Sequence, residues 1–279
     1  PPALLEKRLG LAGTHRGHPF AAMNAAFLSD GVWVEVPDGV VLAEPLVVLH
    51  VADAAAGPLA AHPRVVISVG ENAQASVVEA YCGAGESFVN AVTETYLLAH
   101  ARLDHSVLQE ESPEAFHVGT AEAHLGPGAQ LSGHLLSVGG RIVRNELTVR
   151  LHGDGAAATL DGLFLARGAQ QVDNHTLVEH ARPHGGSQQY YKGILDGQAR
   201  GAFDGKVVVR PAGAFADARQ RNRNLLLSDT ARVDAKPQLE IYNNDVKCTH
   251  GSATGRLDAD ALFYLRSRGF SESEARSVL

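Results

Sequence analysis

Two residue types that often announce a function are nearly missing here. Only Cys82 and Cys248 are cysteines in the 279 residues, and aromatic residues make up 6%. Two distant cysteines build no disulfide framework, which favours a reducing cytosol. No run of apolar residues approaches the roughly 20 that a membrane span needs. No secretory signal is visible, and the chain starts at Pro1 rather than methionine. The Asn174-His175-Thr176 sequon then carries no meaning. A basic run is missing too. Lys and Arg number 24 against 31 Asp and Glu, a formal net charge of −7. An acidic chain of this kind suits neither nucleic acid nor an anionic membrane.

Catalytic signatures are also lacking. Gly126-Pro127-Gly128 and Gly153-Asp154-Gly155 complete neither a dinucleotide fingerprint nor a Walker A loop. No Gly-x-Ser-x-Gly elbow occurs. The pairs Glu110/Glu111 and Asp258/Asp260 read as solvated faces or helix caps. Cys82 reads as a small residue near a turn.

What is present is a repeat. Residues of types AVILMFWYC make up 45% of the chain, and there are 29 glycines. This composition favours regular backbone stacking over bulky anchors. Ala73, Ala101, Ala129 and Ala156 each follow a turn and open an alternating stretch, at steps of 28, 28 and 27 residues. A near-constant period of this size marks a solenoid. Further alanines at Ala199, Ala214 and Ala231 follow at 15 and 17, which suggests two strands per coil early and hairpin-like or half-coil steps later. Short β-branched runs such as Val65–Val69, Val207–Val209 and Leu239–Ile241 sit between Gly- and Pro-rich turns.

The expected fold is all-β: a right-handed parallel β-helix over residues 31–257. A partly helical lead-in over 1–30 precedes it, with possible helices at Pro2–Leu9 and Pro19–Leu28. A short helical segment over 258–279 follows. There, Asp258 can cap a helix that stops at Gly269, and Ser271-Glu272-Ser273-Glu274 is a capping box for a second.

Three polar groups are candidate sites. Cys248 and His250 lie two apart in an extended run, so they project from one face. Thiolate and imidazole both ligate iron or zinc, but two ligands cannot close a tetrahedral site. Lys247 should face the other way, too far round to activate the thiol. His175, His180 and His184 have helical spacing, yet Pro183 and Gly185-Gly186 oppose a helix, so they read as a polar loop with solvated histidines. Gln220-Arg221-Asn222-Arg223-Asn224 reads as a polar ladder in which amides bond coil to coil.

The last quarter of the chain carries a resemblance. It holds Gln220 to Ser228, then Lys236-Pro237-Gln238-Leu239-Glu240-Ile241, then Asp245-Val246-Lys247-Cys248-Thr249-His250-Gly251, and Leu262 to Gly269. Upstream come His175-Thr176, His180, Ser187, Tyr191-Lys192-Gly193-Ile194-Leu195 and Phe203-Asp204-Gly205, with a weaker stretch at Met23-Asn24-Ala25-Ala26 and Asp30-Gly31. In order and spacing this block resembles the SufB/SufD family of iron–sulfur cluster assembly proteins. The Lys-Cys-Thr-His-Gly form places it on the SufD side.

The resemblance implies a non-catalytic scaffold or accessory subunit, paired with a SufB-like subunit and a SufC-like ATPase. It implies that Cys248 and His250 face SufB and help hold iron or a transient cluster, and that the isolated chain binds no tight cofactor. SufB would pair through strands near Leu239 to Val246, and without it the chain would form a homodimer. Helical segments flank the core in such proteins, so the chain would be a core fragment or a short member. The alternatives are a β-helix polysaccharide lyase or hydrolase, which the low aromatic content disfavours, and a zinc-binding structural module.

Overall fold

The computed structural model describes residues 18–279. The possible helix at Pro2–Leu9 lies outside them. Helix α1 (Pro19–Ala26) leads into seventeen strands, and α2 (Ala259–Ser267) and α3 (Glu272–Val278) close the chain. One sheet runs β1 (Gly31–Val36), β4 (Arg64–Val69), β6 (Ser87–Leu97), β8 (Phe116–Leu125), β10 (Ile142–Leu151), β12 (Gln171–His180), β14 (Arg200–Val209), β16 (Arg232–Ile241), with β3 (Leu59–Ala61) also on β6. The other runs β2 (Leu46–Asp53), β5 (Gln74–Ala84), β7 (Arg102–Glu110), β9 (Gln130–Ser137), β11 (Ala157–Ala166), β13 (Gly186–Leu195), β15 (Asp217–Leu226), β17 (Lys247–Arg256).

Every ladder between these strands is parallel, and from β4 onward each strand pairs with the next but one. The chain therefore alternates between two sheets and lays one strand on each per coil, a β-solenoid. Inward side chains of both sheets meet between them, while outward ones face solvent.

The alanine period is the physical trace of this stacking. Ala73, Ala101, Ala129 and Ala156 each sit just before β5, β7, β9 and β11, and all four are fully buried. Their successors pair in register: Gln74 with Arg102, Arg102 with Gln130, Gln130 with Ala157. Coils stacked at the ~4.8 Å strand spacing leave little room at the corners, so a methyl group is what fits. The expected half-period steps are not there. Ala199 and Ala231 precede β14 and β16 in one sheet, whereas Ala214 belongs to the turn before β15 in the other. These alanines belong to two different corners, and from β4 onward the coil keeps two strands, without hairpins.

The helical segment follows its cap residues. Asp258 Oδ1 accepts from the Asp260 amide at 2.9 Å, and Gly269 takes φ of 97° beyond the helix end. Ser271 and Glu274 form the reciprocal capping box of α3. No helix among the described residues is long and apolar enough to cross a membrane.

Candidate functional site

Cys248 and His250 both lie on β17, the last strand of its sheet, so one edge of that strand is free among the described residues. The register sets their direction. Cys248 pairs with Ala218 and His250 with Gln220, and both partners are buried inward residues of β15. The two side chains therefore continue the inward row together, on one face, at a level where no further coil of the described residues covers them. Lys247 and Thr249 take the outer face.

The two groups differ in environment. Cys248 is half-buried against Val207, Val209, Ala216 and Ala218, with Leu239 and Val246 beside it. Burial pushes its thiol up, and a backbone hydrogen bond at Ala218 only partly opposes this. At neutral pH it is a thiol, and a metal or sulfur acceptor would have to displace its proton. His250 is exposed, and its ring makes no hydrogen bond or ion pair among the described residues. No group of three His, Cys, Asp or Glu side chains that could hold a metal ion occurs among the described residues. The pair supplies two donors and needs others from outside, which disfavours a closed zinc module.

The remaining candidates separate. His175 and His180 are on β12 and not in a loop, so the polar-loop reading is corrected. His175 lies on the outer face, whereas His180 is fully buried and shares a 2.8 Å hydrogen bond with Ser187 Oγ. Burial lowers the His180 pKa to about 4, so it is a neutral structural imidazole. His184 sits in a turn at φ 59° and stacks on Phe215. Three histidines in three settings make no metal centre.

The run from Gln220 to Asn224 splits by strand alternation. Arg219, Arg221 and Arg223 are exposed, while Gln220, Asn222 and Asn224 are buried. Amide bonds do cross coils, as in Asn222 Nδ2 to Tyr191 O at 3.2 Å and Asn145 Nδ2 to Asn174 Oδ1 at 3.0 Å. Asn174 is 1% exposed, so its sequon is inaccessible in the fold.

Sequence reasoning missed a buried ionic cluster nearer the other end. Glu79 on β5 is fully buried and accepts from Tyr81 Oη at 2.7 Å and Thr93 Oγ1 at 3.0 Å; His105 Nε2 lies 2.8 Å away and His50 Nε2 3.7 Å. Burial pushes its carboxyl up, but the His105 and His50 imidazoles outweigh this and hold it well below the usual carboxylate range. Glu111, expected on a solvated face, is also buried, with Gln109 Nε2 at 2.9 Å and His117 Nδ1 at 2.8 Å. The only available signal was a glutamate two before a tyrosine inside a Val-rich strand.

Residues 50–279 match the family described as SUF system FeS cluster assembly, SufBD core domain. A SufBD family protein of Synechocystis is 32% identical over 93% of this chain and 60% of its own length. The iron–sulfur cluster assembly protein SufD of Escherichia coli is 30% identical over 98% of this chain and 66% of its own length. That of Bacillus subtilis is 26% identical over 94% and 60%. The chain thus spans roughly 60–66% of the length of these curated relatives. On fold, motif block and likeness together, the chain belongs to the SufBD family of iron–sulfur cluster assembly proteins.

Proposed function

We propose that this chain is a SufD-like, non-catalytic scaffold subunit that pairs with a SufB-like subunit and a SufC-like ATPase. The observation that carries the reading is the uncovered last coil. β16 and β17 are the end strands of the two sheets. A free parallel edge offers unpaired backbone groups, a template for strand addition by a partner. The same coil presents Cys248 and His250 on one face, two donors that a partner's side chains or a sulfur species would complete. Iron or a nascent cluster is then cargo held transiently at the junction, not a resident cofactor.

ATP hydrolysis belongs to the SufC-like partner, docked on the helical segment after residue 258. Without its SufB-like partner, the chain buries the free edge against a second copy. Two free cysteines fit a reducing, cytoplasmic setting.

The test is co-expression of the full-length protein with SufB- and SufC-like subunits from the same source, with iron and sulfide measured on what co-purifies. A complex that loses cluster in the double variant Cys248→Ala, His250→Ala supports both the scaffold and its site. A complex with unchanged cluster content overturns the site and keeps the scaffold. Failure of any complex to form overturns the function.

A further inference from the structure

The side chain one coil below His250 is anomalous. Gln220 is 1% exposed, and both its Oε1 and its Nε2 are buried without a hydrogen-bond partner. Leaving such groups unmade costs roughly 1–3 kcal/mol each, so a buried amide with neither atom used needs a reason. Its neighbours on the same strand do not share the problem. Asn224 Nδ2 donates to Asn222 Oδ1 at 2.6 Å, and Asn222 Nδ2 reaches the Tyr191 carbonyl at 3.2 Å.

The fold also makes room for Gln220. A Cβ on Gly205, on the facing sheet, would sit 2.4 Å from Gln220 Nε2. The same Cβ would meet the Phe203 ring at 2.6 Å, so glycine there leaves room for both side chains.

Register points to its use. Gln220 pairs directly with His250, so the two side chains are parallel neighbours on the inward row. His250 has no hydrogen bond among the described residues. We infer that Gln220 is a positioning residue for His250: its Oε1 accepts the proton of one imidazole nitrogen and fixes the tautomer. The other nitrogen then keeps its lone pair directed out of the open end. A ligating histidine commonly has its second nitrogen held this way, and losing that partner costs about 10- to 100-fold in metal affinity. Cys248 gains no such side-chain support, because the residue beneath it is Ala218.

This inference rests on the proposed site for its purpose, but its geometry can be tested separately. The full chain, labelled with nitrogen-15 in histidine, reports the His250 tautomer through ring nitrogen–proton correlations. The wild type is expected to hold one tautomer. Gln220→Leu should release it to a mixture, and Gln220→Glu, which keeps an acceptor, should restore it. The same tautomer ratio in wild type and Gln220→Leu, both folded, overturns the inference.

A second readout is cobalt(II) affinity by competition, expected to fall about 10- to 100-fold in Gln220→Leu. A tautomer that responds while cobalt(II) binding ignores both Gln220→Leu and His250→Ala upholds the positioning contact and overturns the site reading it serves.

Discussion

The inward row of this solenoid does two different things at its two ends. Around β5 and β7 it carries Glu79, Tyr81 and His105, sealed between coils and bonded to one another. On β17 it carries Cys248 and His250, with nothing stacked beyond them among the described residues. His105 and His250 occupy the same position within the coil, one covered and one not. Covered, such groups become internal ties whose protonation is set by burial and fixed neighbours. Uncovered, they remain open to a ligand.

The largest way to break this comparison is to remove a covered charge. Glu79→Ala leaves His105, Tyr81 and Thr93 without their shared acceptor. Leaving a buried hydrogen-bonding group unsatisfied costs about 1–3 kcal/mol for each group. The midpoint of urea unfolding should fall accordingly, and a midpoint within error of wild type would remove the cluster from the stability account.

Acid sharpens the same contrast. His180 titrates near pH 4 in the fold against an ordinary value of 6.5. Its depressed pKa means the unfolded chain binds the extra proton first. The stability it contributes is therefore full above about pH 6.5 and lost as pH falls toward 4. Between pH 7 and 5 this amounts to on the order of 2 kcal/mol. Thermal melts of His180→Gln should lose that part of the slope, whereas His250→Ala should leave it in place. Glu79 is also depressed, so its contribution declines only below the ordinary carboxylate range, near 4.5.

Glycine substitutions give a smaller and more local test. A Cβ at Gly162 would lie 2.3 Å from the Tyr191 ring, so Gly162→Ala should cost about 1–3 kcal/mol by overpacking. At Gly251 on β17 a Cβ meets nothing within 4 Å, and Gly251→Ala should leave stability within about 0.5 kcal/mol of wild type or raise it. Calorimetry of the two variants compares an inward position of a covered coil with an outward position of the last one. The smallest expected effect on the isolated chain is that of His250→Ala, within about 0.5 kcal/mol. An unfolding midpoint that drops like that of Glu79→Ala would show that His250 is structural after all.

Much of the fold was legible because stacking constrains composition. The corners admit little more than a methyl group, so Ala73, Ala101, Ala129 and Ala156 recur at the coil length. Later coils put Gly185, Ala216 and Val246 at the same corner, and the pattern blurs there. The direction of Cys248 and His250 was legible from alternation alone. Their exposure was not, since it depends on which coil is last. The Glu79 cluster was hidden for a related reason. Its partners come from β5, β6 and β7, and their meeting depends on the inter-strand register and on how two sheets face each other. The orphaned amide of Gln220 was equally invisible, because a run of alternating arginines and amides looks alike from either side until the inward face is known.

One consequence follows from how the coils add. Each is held by the coil before it and the coil after it, so the chemistry on offer is decided by counting. Insert one more unit of about thirty residues after β17, with a similar inward row, and Cys248 and His250 would join Glu79 and His180 as interior ties. Delete the last, and Ala218, Gln220 and Asn222 would form the new face. In such an architecture, reactivity is a property of coil number, and a change in length is a change in surface chemistry.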